Sequence, residues 1–161
     1  MRVPYCWGAP GRDRNISARV VGMLKNNRKS AAQSTPKRSL AGRRILLAED
    51  EGLIALEVER LLEDLGCNVV GPLANIEGVL EAAESGGFDG ALLDVNLRGR
   101  QIFEIVPALQ KLGLRLIIAS GYDDVTLFPA AFRTMPRVAK PFDQQELRRM
   151  CEMVFAKPST P

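Results

Sequence analysis

From Arg44 onward, short unbroken apolar runs alternate with longer stretches whose apolar residues recur at helical spacing, and this alternation constrains the fold more than any other feature of the chain. Ile45 to Ala48 is an apolar run suited to a strand buried on both faces. Leu53, Ile54, Leu56, Val58, Leu61, Leu62 and Leu65 follow at helical spacing, with Gly66 placed to cap the end. Val69 and Val70 make a second short strand, closed by Gly71-Pro72. Ile76, Val79, Leu80 and Ala83 mark a second helix that ends before Gly86-Gly87. Ala91 to Leu93 form a third strand that ends on Asp94. Ile102, Ile105, Val106, Leu109 and Leu112 then line a helical stripe around Pro107, which fits best in a first turn. Leu116 to Ala119 is a fourth strand, stopping at Ser120-Gly121. Asp123 to Thr134 contains Pro129 and predicts a short or irregular helix. Val138-Ala139 precede Lys140-Pro141. Asp143 to Glu146 open the last helix in the manner of a capping box, and Leu147, Met150, Cys151, Val154 and Phe155 continue it. Parallel neighbours need crossover connections, so strands alternating with helices predict an α/β fold with a parallel sheet covered on both faces.

Ahead of this pattern the chain changes character. Residues 1–44 hold eleven of the 22 Lys and Arg but one of the 19 Asp and Glu, a net +10, which leaves −7 on residues 45–161. From Lys25 to Arg44 large apolar residues are few, so the stretch cannot bury enough surface to offset its ordering entropy. Residues 1–42 are therefore expected to form a disordered basic arm, with Ile16 to Leu24 alone able to form a transient helical turn. The arm reads as a solvated tail or as upstream coding sequence ahead of a start at Met23. A second reading makes it an anchor on nucleic acid, anionic lipid or an acidic partner. Residues 43–157 are then one domain and 158–161 a tail.

Composition also removes function classes. The chain has no histidine, which excludes Ser-His-Asp and Cys-His catalysis, histidine metal sites and phosphohistidine carriage within it. Cys6, Cys67 and Cys151 are odd in number and widely spaced, so neither a disulfide framework nor a zinc site is indicated. No apolar run approaches the roughly 18 to 20 residues of a spanning helix, and the first residues lack a secretory apolar region. A cytoplasmic protein without membrane insertion is expected.

Functional groups in open parallel sheets gather at the carboxyl ends of the strands. The expected first strand ends in Glu49-Asp50, the third in Asp94, the fourth in Ser120 and the fifth in Lys140. Three carboxylates, a hydroxyl and an ammonium should thus meet on one rim. Taken singly, the Glu49-Asp50-Glu51 cluster could serve the first helix's dipole, Asp94 could merely end a strand and Ser120 could cap a turn.

Taken together, and in this order, they make residues 43 to 155 resemble the receiver domain of two-component response regulators. The fourth-strand stretch IIASGYDD resembles the subfamily called FAT GUY. The resemblance implies a flavodoxin-like, doubly wound five-stranded parallel sheet of order 2-1-3-4-5. It implies Asp94 as the residue that takes a phosphoryl group from the phosphohistidine of a partner kinase. It further implies Mg²⁺ held by Asp50, Glu49, Asp94 and the backbone carbonyl of Asn96, with Lys140 and Ser120 neutralising phosphoryl oxygens and a cis Lys140-Pro141 bond. Such a protein catalyses its own phosphorylation and hydrolysis without being an enzyme in the usual sense. Its output is a changed surface on the face built by the fourth-helix region and the fifth strand and helix. Two departures stand out. Where ordinary receivers carry an aromatic switch, this chain has Arg137, leaving Tyr122 as the nearby aromatic, with packing or a surface loop as its plainer role. The loop after Asp94 reads Val95-Asn96-Leu97-Arg98-Gly99-Arg100, with two extra arginines open to a kinase contact or a role in hydrolysis.

With only Ala156 to Pro161 after the last helix, the chain is expected to be a single-domain response regulator in a phosphorelay. Its partners would be a histidine kinase of the HWE or HisKA-2 class and a downstream protein, and a homodimer through the last helices is compatible with the sequence. The alternative is a phosphorylation-independent adaptor that binds nucleic acid or an acidic partner through its arm. A metal-dependent phosphohydrolase is disfavoured, because Asn96 stands where a general acid would follow Asp94.

Overall fold

The computed structural model describes residues 39–121 and 128–156. Five strands form one parallel sheet: β1 (Arg44–Ala48), β2 (Asn68–Leu73), β3 (Gly90–Asp94), β4 (Arg115–Ser120) and β5 (Arg137–Ala139). The helices between and after them are α1 (Gly52–Asp64), α2 (Ile76–Ser85), α3 (Val106–Lys111) and α4 (Gln144–Phe155). Neighbouring strands run β2-β1-β3-β4-β5, the expected order, with every pair parallel.

Side chains of a strand point alternately to opposite faces, and β1 uses both faces for apolar burial. Ile45 and Leu47 pack with Val58, Leu62, Leu147, Cys151 and Phe155 of α1 and α4. Leu46 and Ala48 pack with Val79, Ala83, Val106 and Leu109 of α2 and α3. This explains why β1 and β3 are unbroken apolar runs, and it leaves polar residues in the sheet interior to the strand ends.

Helix ends follow their local chemistry. Asn75 caps α2 by accepting from the Gly78 N–H at 2.8 Å, and Asp143 caps α4 by accepting from the N–H groups of Gln145 and Glu146. Gly66 follows α1 with φ 92°, the conformation that favours glycine at this place. Pro107 sits at the start of α3, as expected, but the stripe around it is divided. Ile102–Glu104 form a 3-10 turn and only six residues are α-helical, with Leu112 left half-exposed beyond the end.

Three expectations need correction. Gly71-Pro72 does not close β2: the strand runs through it to Leu73, with a cis bond and a register shift opposite Leu46–Ala48. β2 is an edge strand, where the missing proline N–H breaks no ladder. Leu53 and Leu56 are expected on the helical stripe of α1, yet Leu53 is 87% and Leu56 42% exposed, because at about 100° per residue they fall on the side of the helix away from the buried Ala55, Val58 and Leu62. Leu40 and Gly42, expected in the arm, pack against the domain. Leu40 is 2% exposed among the α1 and α4 residues, its N–H bonds to Leu65 O at 2.9 Å, and Gly42 N–H bonds to Gly66 O at 3.0 Å. Residues 1–38 lie outside the described residues, as do 122–127 and 157–161. Of the expected irregular helix over 123–134, the described part contains one 3-10 turn, Ala130–Phe132, following Pro129.

Candidate functional site

The sheet order reverses about β1, which has β2 on one side and β3 on the other, so the loops leaving β1 and β3 part and open a cleft. Asp50, Ile54, Asp94, Asn96, Lys140 and Pro141 are among the residues that line this cleft of about 570 Å³. Glu49 directly follows β1, Asp94 and Ser120 are the last residues of β3 and β4, and Lys140 directly follows β5. Parallel register brings these ends together, with Leu93 opposite Ile118, Asp94 opposite Ala119 and Ser120 opposite Ala139.

Lys140 is the centre of the arrangement. Its Nζ lies 2.5 Å from Glu49 Oε2 and 2.9 Å from Asp94 Oδ2. Burial alone would lower the lysine's pKa, but the two carboxylates raise it above its ordinary value. Glu49 is 2% exposed, and burial raises its carboxyl above the usual range, against the hydrogen bonds from Lys140 and from the Glu51 N–H. Both Glu49 oxygens are engaged, because Oε1 accepts from Glu51 N–H at 3.1 Å. Asp50 is exposed and its Oδ2 accepts from the backbone N–H of Arg98 at 3.0 Å. Carboxylate oxygens of Glu49, Asp50 and Asp94 all lie within 4.8 Å of one another. A hard divalent cation prefers oxygen ligands in compact geometry, and this donor set fits one.

The remaining expected residues fall as follows. Ser120 is 2% exposed at the end of β4, and its carbonyl accepts from Lys140 N–H at 2.8 Å. Asn96 lines the cleft, and its N–H faces Asp94 Oδ1 at 3.4 Å. The Lys140-Pro141 bond is cis, as expected. Tyr122 lies outside the described residues. Arg137 is exposed at the start of β5, the place the resemblance gives to an aromatic. The stretch after Asp94 is expected as a plain loop. In the structure it is a small hairpin, Asn96–Leu97 against Arg100–Gln101, turned by Arg98 and Gly99 with φ 51° and 82°. The signal was legible: a two-residue turn with positive φ at both places favours glycine at the second.

The fold and site define a class first: a doubly wound parallel α/β protein with an acidic cleft and a lysine at the point where strand order reverses. The family model described as the response regulator receiver domain matches residues 45–152, and the chain belongs to that family. Family members act in two-component signalling and are phosphorylated by histidine kinases. Among solved structures it is similar to the BeF3-activated conformation of SdrG from Pseudomonas melonis. The identity is 34% over 71% of this chain and 98% of that one, with TM-score 0.61. It shares the fold of the response regulator PhyR from Brucella abortus at 23% identity and TM-score 0.64, covering 74% of this chain and 50% of that one. A sensory transduction protein LytR from Staphylococcus haemolyticus is 26% identical over 112 residues, 68% of this chain, which spans 44% of that relative. No helix among the described residues is long and apolar enough to cross a membrane.

Proposed function

We propose that this protein is a phosphoryl acceptor of a cytoplasmic phosphorelay, with Asp94 as the acceptor. The observation that carries the reading is the meeting of Asp94, Glu49 and Lys140 at 2.9 and 2.5 Å beside the Asp50 carboxylate in one open cleft. A carboxylate oxygen of Asp94 attacks the phosphorus of a phosphohistidine on a partner kinase. The phosphorus–nitrogen bond breaks, the histidine leaves and an aspartyl phosphate remains. The task of the site is to align these groups and to neutralise the phosphoryl oxygens. Lys140 already contacts Asp94 and turns its compact ammonium to one such oxygen. Ser120 supplies a hydroxyl at the adjoining strand end.

Mg²⁺ fits the three carboxylates, and when bound it supplies positive charge to the transferring group. Asp50 and Asp94 would hold it directly, Asn96 through its carbonyl, and Glu49 through water or as a second ligand. Arg137 in the aromatic's place and the IIASGYDD stretch support assignment to the FAT GUY subfamily, and with it a kinase of the HWE or HisKA-2 class. Phosphorylation then changes the face around β5 and α4, which a downstream protein recognises.

Incubation with acetyl phosphate and Mg²⁺ followed by intact-mass measurement tests the reading. An adduct of about 80 Da in the wild type and none in Asp94→Asn is expected for an aspartyl phosphate. An adduct of equal yield in Asp94→Asn would refute the assignment.

A further inference from the structure

The hairpin after Asp94 does more than leave the sheet. Its turn residue Arg98 donates its backbone N–H to Asp50 Oδ2 at 3.0 Å, and Gly99 lines the cleft. Asp50 is exposed, and among the described residues this is the hydrogen bond that orients its carboxylate toward Glu49 and Asp94. The hairpin is only two residues long on each arm, and a ribbon of that length has little stability of its own. Leu97, 1% exposed in the core, and the Ile102 N–H on Val95 O at 2.9 Å anchor its base. Arg100 ties its second arm from outside the cleft: one guanidinium nitrogen binds Glu77 Oε1 in the first turn of α2, and the other binds Glu104 Oε1 at 2.7 Å in the following 3-10 turn. A planar fork pinned at both prongs fixes orientation where a single flexible ammonium would not.

We propose that Arg100 is a positioning residue for Asp50: it ties the hairpin to α2 and the 3-10 turn, and so holds the Arg98 N–H that aims the Asp50 carboxylate into the cleft. This rests on the reading of the cleft as a divalent-cation and phosphoryl site. It also decides between the roles open to the two loop arginines, because Arg100 is spent on internal ion pairs and Arg98 contributes a backbone donor.

The direction of the effect separates this role from simple electrostatics. Removing a positive charge near an acidic cleft strengthens cation binding through Coulomb's law. Loss of positioning weakens it. The measurement is a Mg²⁺ titration of the full chain followed through backbone amide shifts, for wild type, Arg100→Ala and Arg100→Lys. Arg100→Ala should bind Mg²⁺ about two- to fivefold more weakly, the range of an exposed ion-pair network, and its cation-free Arg98 amide signal should move. Arg100→Lys keeps the charge but not the fork, and it should lie between wild type and Arg100→Ala. Unchanged or tighter binding by Arg100→Ala overturns the proposal, as does weaker binding with the Arg98 amide unmoved or with Arg100→Lys equal to wild type. If the wild type itself shows no saturable shifts at Glu49, Asp50 and Asp94, the reading of the cleft fails and the proposal with it.

Discussion

Replacing Leu40 by alanine removes a side chain that lies nine residues before the acidic rim and has no part in it, yet the structure assigns it a measurable share of the domain's stability. Leu40 is 2% exposed and packs in the cluster of Ile45, Leu62, Leu65 and Phe155. Buried Leu→Ala changes cost about 2 to 5 kcal/mol, depending on how far the site collapses. Leu40 lies in a turn held by the bonds of Leu40 and Gly42 to Leu65 and Gly66. The turn can close part of the gap, so about 2 to 3 kcal/mol is the expected loss. At a urea slope of about 1.5 kcal/mol per molar, the unfolding midpoint should fall by about 1.5 to 2 M with the slope unchanged. Far-UV circular dichroism against urea measures both. A chain that begins at residue 43 should lose at least as much, since it also lacks the two backbone bonds. A midpoint for Leu40→Ala within about 0.3 M of wild type, well inside the error expected for a surface change, would refute the reasoning and return residue 40 to the arm.

Asp89 has its carboxyl held below the usual range. Burial alone would raise it, but the Arg44 N–H and the Arg43 guanidinium outweigh that. A depressed folded pKa contributes stability above the unfolded value near 3.8 that is lost as pH falls through the folded value. Asp89→Asn should therefore destabilise the protein at pH 7 by about 1 to 3 kcal/mol and flatten the acid limb of stability below about pH 4.5, and an unchanged acid limb would contradict this. Burial pushes the Cys67 thiol up to about 11 and the Cys151 thiol up to about 12. In a Cys6→Ser chain at pH 8 neither should react with a disulfide reagent until urea opens the fold, and immediate stoichiometric reaction would show that the cluster around them is not closed.

The legible parts of the fold were those where one period of burial ran unopposed. β1, β3 and β4 are apolar on both faces, so their places, and with them Glu49, Asp94 and Ser120 at their ends, could be taken from the sequence. Edges were harder. β2 is paired on one side only and tolerates Gly71-Pro72 inside it, so turn residues gave a false stop. Leu40 was hidden by its surroundings: one leucine between a serine and an alanine in a basic stretch carries no periodicity, and only the partner surface at Leu65 and Phe155 gives it a place to bury. Leu53 failed in the other direction: an apolar residue near a helix start suggests burial, but at about 100° per residue it lies across α1 from the buried Ala55 and Leu62.

On the proposed function of the cleft, its charge balance explains why a lysine rather than an arginine belongs after β5. Glu49, Asp50 and Asp94 bring three negative charges into a compact site, and Lys140 returns one, leaving two for a divalent cation to match. Lys140 reaches Glu49 and Asp94 with a single nitrogen, so it can stay on the buried Glu49 while shifting its other contact from Asp94 to an incoming phosphoryl oxygen. A guanidinium would commit a rigid fork to one carboxylate and crowd the position where that oxygen must sit. Lys140→Arg should therefore keep the fold, with an unfolding midpoint close to wild type, yet accumulate far less phosphoryl adduct from acetyl phosphate in the same time. Equal accumulation would show that the point-charge character of Lys140 is not what the transfer requires.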